Sequence, residues 1–242
     1  MSKVKNIVLL LAGGCGQRMH SDCPKQFMEI DGVPVILHTM RAFQEHTAID
    51  DIYVVCAPEW KDFVVACTLS GKITKFAGTF SAGETSFNSL QNGIKGLNAI
   101  FKNDENPTVI VHEAVRPLID SNIISRNLHT FQTYGNAITA TRSNEAYMES
   151  SDGISSNKSL PRETLYKAQT PQTFSLDELN NMFRAADEKN IKTSQSLFTL
   201  VREVCPEREL YISLGSELNF KITHPEDIET LKAIISYQHH KK

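Results

Sequence analysis

An unbroken apolar run at residues 7–11 (Ile-Val-Leu-Leu-Leu) empties into a glycine turn, Ala12-Gly13-Gly14-Cys15-Gly16. A run without alternating polar residues suits a strand covered on both faces. A glycine turn straight after such a strand leaves backbone N–H groups at the sheet end, where they can cradle an anion. Arg18 follows within the turn region, and Lys25 follows in Pro24-Lys25-Gln26-Phe27. Two cations beside such a turn point to a phosphate-rich ligand.

Strand-like and helix-like segments then alternate. Strands are expected at 5–11, 51–56, 108–111 and 136–141, with a weaker one at 72–76. Helices are expected at 33–44, 59–68, 86–97 and 122–134. Strand, helix, strand in that order means parallel pairing through right-handed crossovers. The expected fold is an α/β open doubly wound, mostly parallel sheet, with its ligand at the carboxyl ends of the strands. The glycine turn and His112-Glu113 both fall at such ends. Residues 142–162 break the rhythm: they are polar, carry Ser151-Asp152-Gly153, and read as a hairpin arm that grips a second subunit or as a plain surface loop. Residues 165–174 return to the body, and 176–189 read as a helix. Late strand material is expected at 210–214 and 220–222, before Pro225-Glu226-Asp227 opens a last helix. The whole chain, 1–242, reads as one domain.

Composition narrows the field. With 40% hydrophobic residues, 22% charged residues and a net charge of −3, the chain suits a soluble globular protein without a general nucleic-acid footprint. No apolar run approaches the ~18 residues of a membrane span. The amino end lacks signal-peptide shape. Five cysteines, none in C-x-x-C spacing, argue against a disulfide framework or zinc site, and a cytoplasmic setting is expected.

The turn lacks the third glycine of a dinucleotide fingerprint, and Cys56-Ala57-Pro58 offers no immediate acid for a ribose. No G-K-S/T closes it as a Walker loop. Arg18 and Lys25 suit phosphoryl or nucleotidyl transfer instead, where fixed cations stabilise charge that builds on the transferring and leaving oxygens. Glu113, ending its strand, can hold Mg²⁺ against a phosphate. Its alternative is a surface acid. Arg116 can reach a phosphate or a neighbouring chain.

The motifs Leu11-Ala12-Gly13-Gly14-x-Gly16-x-Arg18-Met19, Pro24-Lys25-Gln26-Phe27, Val111-His112-Glu113-Ala114-x-Arg116-Pro117, Thr170-Pro171-Gln172-x-Phe174 and Asn219-x-Lys221-Ile222-Thr223-x-Pro225-Glu226-Asp227 occur in order. Together they resemble the Rossmann-like cytidylyltransferases that act on methylerythritol phosphate or ribitol phosphate. The resemblance implies that a polyol or sugar phosphate attacks the α-phosphorus of CTP and pyrophosphate leaves. It implies catalytic roles for Arg18, Lys25 and Lys221, and a Mg²⁺ role for Glu113. Ala12, Gly13 and Gly14 would lie against the nucleotide, Gly83, Glu84 and Ser89 around its cytosine and ribose, and Ala114 beside the ribose. Arg162, Thr170 and Arg116 would serve the acceptor, and a homodimer would form through 142–162.

The chain departs from the family pattern at four places. Glu113 stands where the family usually has Asp, and Ser86 where it has Arg. Asn144-Glu145-Ala146 replaces an Asp-Thr pair, and Thr193-Ser194-Gln195-Ser196 a Thr-Asp-Asp-like stretch. Three alternatives stay open: a different acceptor for a surface polysaccharide, a weakly active nucleotide-binding paralogue, and, from another class, a nicotinamide-dependent dehydrogenase.

Overall fold

The computed structural model describes residues 4–14, 23–101 and 106–240, with side chains to residue 238. The sheet of seven described strands is ordered β11-β7-β10-β6-β1-β4-β5, with β1 Asn6–Leu11, β4 Asp51–Cys56, β5 Phe76–Ser81, β6 Thr108–Glu113, β7 Ala137–Arg142, β10 Tyr166–Ser175 and β11 Ile212–Leu214. The strands β2 Glu29–Ile30 and β3 Val33–Pro34 form a small separate hairpin. Strand β10 alone in the main sheet runs against its neighbours, β6 and β7; the other described pairings are parallel.

Successive side chains of the central strands feed opposite layers. Ile7 and Leu9 join the core beneath α3 Ser86–Ile100, α5 Leu176–Glu188 and α6 Leu197–Val204. Val8 and Leu10 join the core beneath α1 Val35–Glu45, α2 Lys61–Ser70 and α4 Ser121–Tyr134. All four are fully buried, and each contributes about 1.5–3 kcal/mol by leaving water. The last helix, α7 Pro225–His240, packs Ile228, Leu231 and Ile235 against Ile30, Val115 and Ile222.

Several expectations shift. The helix expected from residue 33 begins at Val35, because Val33 and Pro34 pair with Ile30 and Glu29. Residues 72–75 lie in a turn, and the strand starts at Phe76. Phe220, Lys221 and Ile222 form no strand. Instead the Ile222 N–H donates to the Val115 carbonyl (2.9 Å) as the chain crosses the end of the sheet. Helix α6 was not expected.

The arm is a hairpin. Strand β8 Tyr147–Glu149 pairs antiparallel with β9 Lys158–Leu160. Its tip is closed by Asp152, whose Oδ1 accepts from the Ile154 and Ser155 amides at 2.9 Å. It buries no core and leaves Met148 77% and Ile154 92% exposed.

Candidate active site

The chain leaves β1, fills β4 and β5 on one side, then crosses back through α3 to β6 on the other. That reversal opens a crevice at the carboxyl ends of β1 and β6. The Ala12 amide donates to Val55 (2.8 Å) and the Ala114 amide to Leu11 (3.0 Å), so the glycine turn and the post-β6 loop start side by side. Gln26 Nε2 donates to the carbonyls of Ala12 (2.7 Å) and Gly14 (2.9 Å), tying Pro24-Lys25-Gln26-Phe27 beneath the turn. A Cβ on Gly13 would lie 2.6 Å from Ala82 Cβ and 3.0 Å from Ser89 Oγ. Only glycine lets the turn approach the post-β5 loop so closely. There the Gly83 amide donates to Ser89 Oγ (3.0 Å), and Thr85 caps α3 by accepting from the Asn88 amide (3.1 Å).

The crevice holds about 550 Å³ and is lined by Gly13, Gly14, Lys25, Glu84, Glu113 and Lys221, among others. Lys25 is buried and donates from Nζ to the Ile222 carbonyl (2.7 Å). Glu113 pairs with Lys221 through one carboxylate oxygen and with Arg116 Nε (2.7 Å) through the other. Arg116 also donates to the Asn219 carbonyl (2.8 Å). Burial pushes the Glu113 carboxyl up, but the Arg116 and Lys221 charges outweigh it and hold it well below the usual carboxylate range. Burial, then Arg116, pushes the His112 imidazole down to about 3.

A second cavity of about 340 Å³ adjoins the crevice and shares Glu113, Lys221 and Ser86 with it. Its own wall includes Thr170, Gln169, Gln172, Ser194 and Ser196. Strand β10 breaks register with β7 between Ala168 and Gln172, next to Gln169 and Thr170 on this wall. Three of the sequence departures, Ser86, Glu113 and Ser194-Gln195-Ser196, line this cavity, the first two shared with the crevice. Another groove, between α3 and α5, holds Lys95, Asp177, Arg184 and Asp187 and shares no residue with the Glu113 cluster.

The structure therefore gathers Ala12, Gly13, Gly14, Lys25, Glu84, Ser89, Glu113 and Lys221 at one crevice, with Thr170 and Arg116 at the adjoining cavity. Gly83 supports the wall through Ser89. Arg18 lies outside the described residues. Ala114 is fully buried, its carbonyl accepting from Thr39 (2.7 Å), so it does not line the crevice as expected. Arg162 sits in a short turn at the root of the arm, its side chain 62% exposed and 3.5 Å from Glu163, and it lines neither cavity. Sequence reasoning missed the part played by Gln26, although it lies in a quoted motif. It also missed the Arg116–Glu113–Lys221 cluster: Arg116 and Glu113 are three residues apart in one motif, but Lys221 joins them from 108 residues away.

The family described as IspD, 2-C-methyl-D-erythritol 4-phosphate cytidylyltransferase, matches residues 6–237. A ribitol-5-phosphate cytidylyltransferase of Lacticaseibacillus paracasei is 32% identical over 94% of this chain and 96% of its own. A 2-C-methyl-D-erythritol 4-phosphate cytidylyltransferase of Lachnospira eligens is 31% identical over 93% and 96%. The crystal structure of 4-diphosphocytidyl-2C-methyl-D-erythritol synthase from Anaerococcus prevotii superimposes with a TM-score of 0.81 at 20% identity, covering 96% of each chain. That likeness shows the shared fold. Gathered motifs and a match over nearly the whole length lead to one conclusion: this chain belongs to the IspD family of cytidylyltransferases.

Proposed function

We propose that this protein transfers CMP from CTP to ribitol 5-phosphate, releasing pyrophosphate and forming CDP-ribitol. The observation that carries the transfer is the pair of adjoining cavities that share Glu113 and Lys221. An acceptor phosphate in the smaller one meets a nucleotide α-phosphate in the larger one beside both groups. An acceptor phosphate oxygen attacks the α-phosphorus, the bond to the bridging oxygen breaks, and that oxygen leaves on pyrophosphate. The acceptor phosphate is already anionic, so no general base is needed. Lys25 and Lys221, with Arg18, act on the charge that develops. Ribitol 5-phosphate is favoured because relatives bearing that name reach 32–34% identity and because one departure, Ser194-Gln195-Ser196, lines the smaller cavity alone. The family's own name makes methylerythritol 4-phosphate the second reading.

Mg²⁺ fits this site in one way. Among the described residues no three His, Cys, Asp or Glu side chains form a metal cluster, but Mg²⁺ is commonly held by one or two carboxylates plus substrate phosphates. Glu113 would supply the carboxylate once Lys221 moves to the phosphates. Bound there, the ion would neutralise triphosphate charge. The arm's exposed Tyr147, Met148 and Ile154 suit a homodimer contact, and Arg162 at its root then serves an acceptor across that contact. The described residues contain no helix long and apolar enough to cross a membrane, and a cytoplasmic setting fits these substrates.

Pyrophosphate release from CTP and Mg²⁺ with ribitol 5-phosphate, methylerythritol 4-phosphate and other polyol phosphates tests the proposal. Turnover with ribitol 5-phosphate alone is expected. Turnover with methylerythritol 4-phosphate alone would replace the acceptor. Silence across the panel with CTP still bound would leave the binding-only paralogue.

A further inference from the structure

Full burial and the neighbouring Arg116 charge keep the His112 ring neutral, and for a neutral ring the hydrogen bonds beneath Glu113 close in one direction. His112 Nε2 lies 3.3 Å from the Arg116 main-chain oxygen. A carbonyl only accepts, so Nε2 carries the proton. Nδ1 of the neutral ring is then an acceptor, and the Thr170 hydroxyl, 3.0 Å away, donates to it. The same hydroxyl oxygen accepts the Glu113 main-chain N–H at 3.1 Å. Arg116 closes the ring by donating from Nε to the Glu113 carboxylate at 2.7 Å. His112 is fully buried and Thr170 is 9% exposed, which keeps water from competing for these bonds.

We propose that His112 is a positioning residue for the transfer: its Nε2–H tautomer draws the Thr170 proton into the protein and fixes the main chain that carries the Glu113 carboxylate. This deepens the function proposed above and rests on it. A hydroxyl has one proton and two lone pairs. Thr170 spends the proton on His112 and one lone pair on the Glu113 amide. It therefore offers the acceptor cavity a single lone pair and no donor. That lone pair accepts from a hydroxyl of a polyol. It does not serve a phosphate, which needs donors, so the acceptor phosphate falls to the cations. Thr170 thereby favours a hydroxyl of the acceptor over its phosphate.

Two measurements test this on the chain of residues 1–242. Long-range ¹H–¹⁵N spectra of the ligand-free protein, with His112 assigned by difference from His112→Asn, should show Nε2 protonated and Nδ1 bare. An Nδ1–H tautomer or an imidazolium overturns the proposal. This readout needs no turnover, so it decides the tautomer even if the transfer reading fails. In kinetics, His112→Leu and Thr170→Val should each lower kcat about ten- to a hundredfold while the CTP KM stays within about twofold. The double variant should be no slower than the slower single one, because both substitutions cut the same relay. Thr170→Ser, which keeps the hydroxyl, should restore most of the rate. Additive losses, or an unchanged kcat in His112→Leu, would show that the ring only fills space. Should His112→Leu fail to fold, His112→Phe, which keeps a buried ring and removes both nitrogens, takes its place in the cycle.

Discussion

The two halves of the crevice are made of different material. The nucleotide side is mostly backbone: the Ala12–Gly14 turn packs against the post-β5 loop with no room for a side chain at Gly13, and Gln26 pins its carbonyls. The proposed acceptor side is mostly side chains: Thr170 bonds to the His112 ring, Ser196 to the Thr199 hydroxyl, and Gln169 and Gln172 donate to the Ser216 and Gln169 carbonyls. A backbone surface changes only if the chain is rerouted, whereas a side-chain surface changes one residue at a time. Of the departures read from the sequence, Ser194-Gln195-Ser196 lines the smaller cavity alone, while Ser86 and Glu113 stand where the two cavities meet.

The sharpest test asks whether the shared cations do chemistry. Lys25→Met keeps the apolar stem and removes the charge. Lost stabilisation of developing phosphate charge should lower kcat by about 10²–10³, read as pyrophosphate release. Lys221→Met should fall in the same range. A kcat within tenfold of wild type at either position would move that residue out of the reacting centre.

Glu113→Gln should cost stability as well as turnover, because it leaves buried Arg116 facing a neutral partner. A penalty of about 3 kcal/mol is expected, discounted where half-exposed Lys221 can turn to solvent. The sign with pH follows from the direction of the shift. A carboxyl held below its ordinary range when folded stabilises fully above that range and loses the contribution as pH falls towards the folded value. Urea unfolding should therefore show the gap between wild type and Glu113→Gln widest near neutrality and narrowing below about pH 4.5. A gap that grows on acidification would mean the carboxyl is not held by Arg116 and Lys221.

The backbone half can be probed with neighbouring glycines. Gly13→Ala drives a Cβ into Ala82 and Ser89, an overpacking cost of about 1–3 kcal/mol in thermal or urea melts. Among the described residues no atom lies within 4 Å of a Cβ on Gly14. Gly14→Ala should melt like wild type yet weaken CTP binding, since the methyl points where a ligand approaches. Equal melting of the two variants would break the claim that the turn is wedged at Gly13.

Legibility followed the same divide. The buried strands β1, β4 and β6 were plain because a strand covered on both faces is continuously apolar. Strand β5 was misplaced because Phe76–Ser81 is a half-exposed edge with Gly78 and small polar residues, a weak pattern on any scale. Residues 220–222 look strand-like, yet their apolar members serve a crossing segment that packs under α7. Helix α6 has only eight residues, and its signal was local: Ser196 capping from the Thr199 amide ahead of Leu197, Leu200, Val201 and Val204. At the site, the glycine turn and Lys25 were readable from spacing. The pairing of Glu113 with Lys221 was not, because it exists only once the chain crosses the sheet end at 219–223, and the local i,i+3 pair with Arg116 was passed over.

Ser86 stands on the boundary, lining both cavities at the first residue of α3, and gives the smallest but most discriminating change. Ser86→Arg restores the residue the family usually carries. A cation there opposes the positive end of the helix dipole, so stability should fall by about 0.3–1 kcal/mol. An exposed charge near a phosphate is worth about 0.2–1 kcal/mol, which sets the kinetic effect at about twofold to fivefold on one KM. If side-chain material defines acceptor choice, the change falls on the acceptor KM, and the ratio of turnover between ribitol 5-phosphate and methylerythritol 4-phosphate shifts with it. If the CTP KM moves instead, Ser86 belongs to the nucleotide side, and the boundary between the two halves lies one residue further into α3.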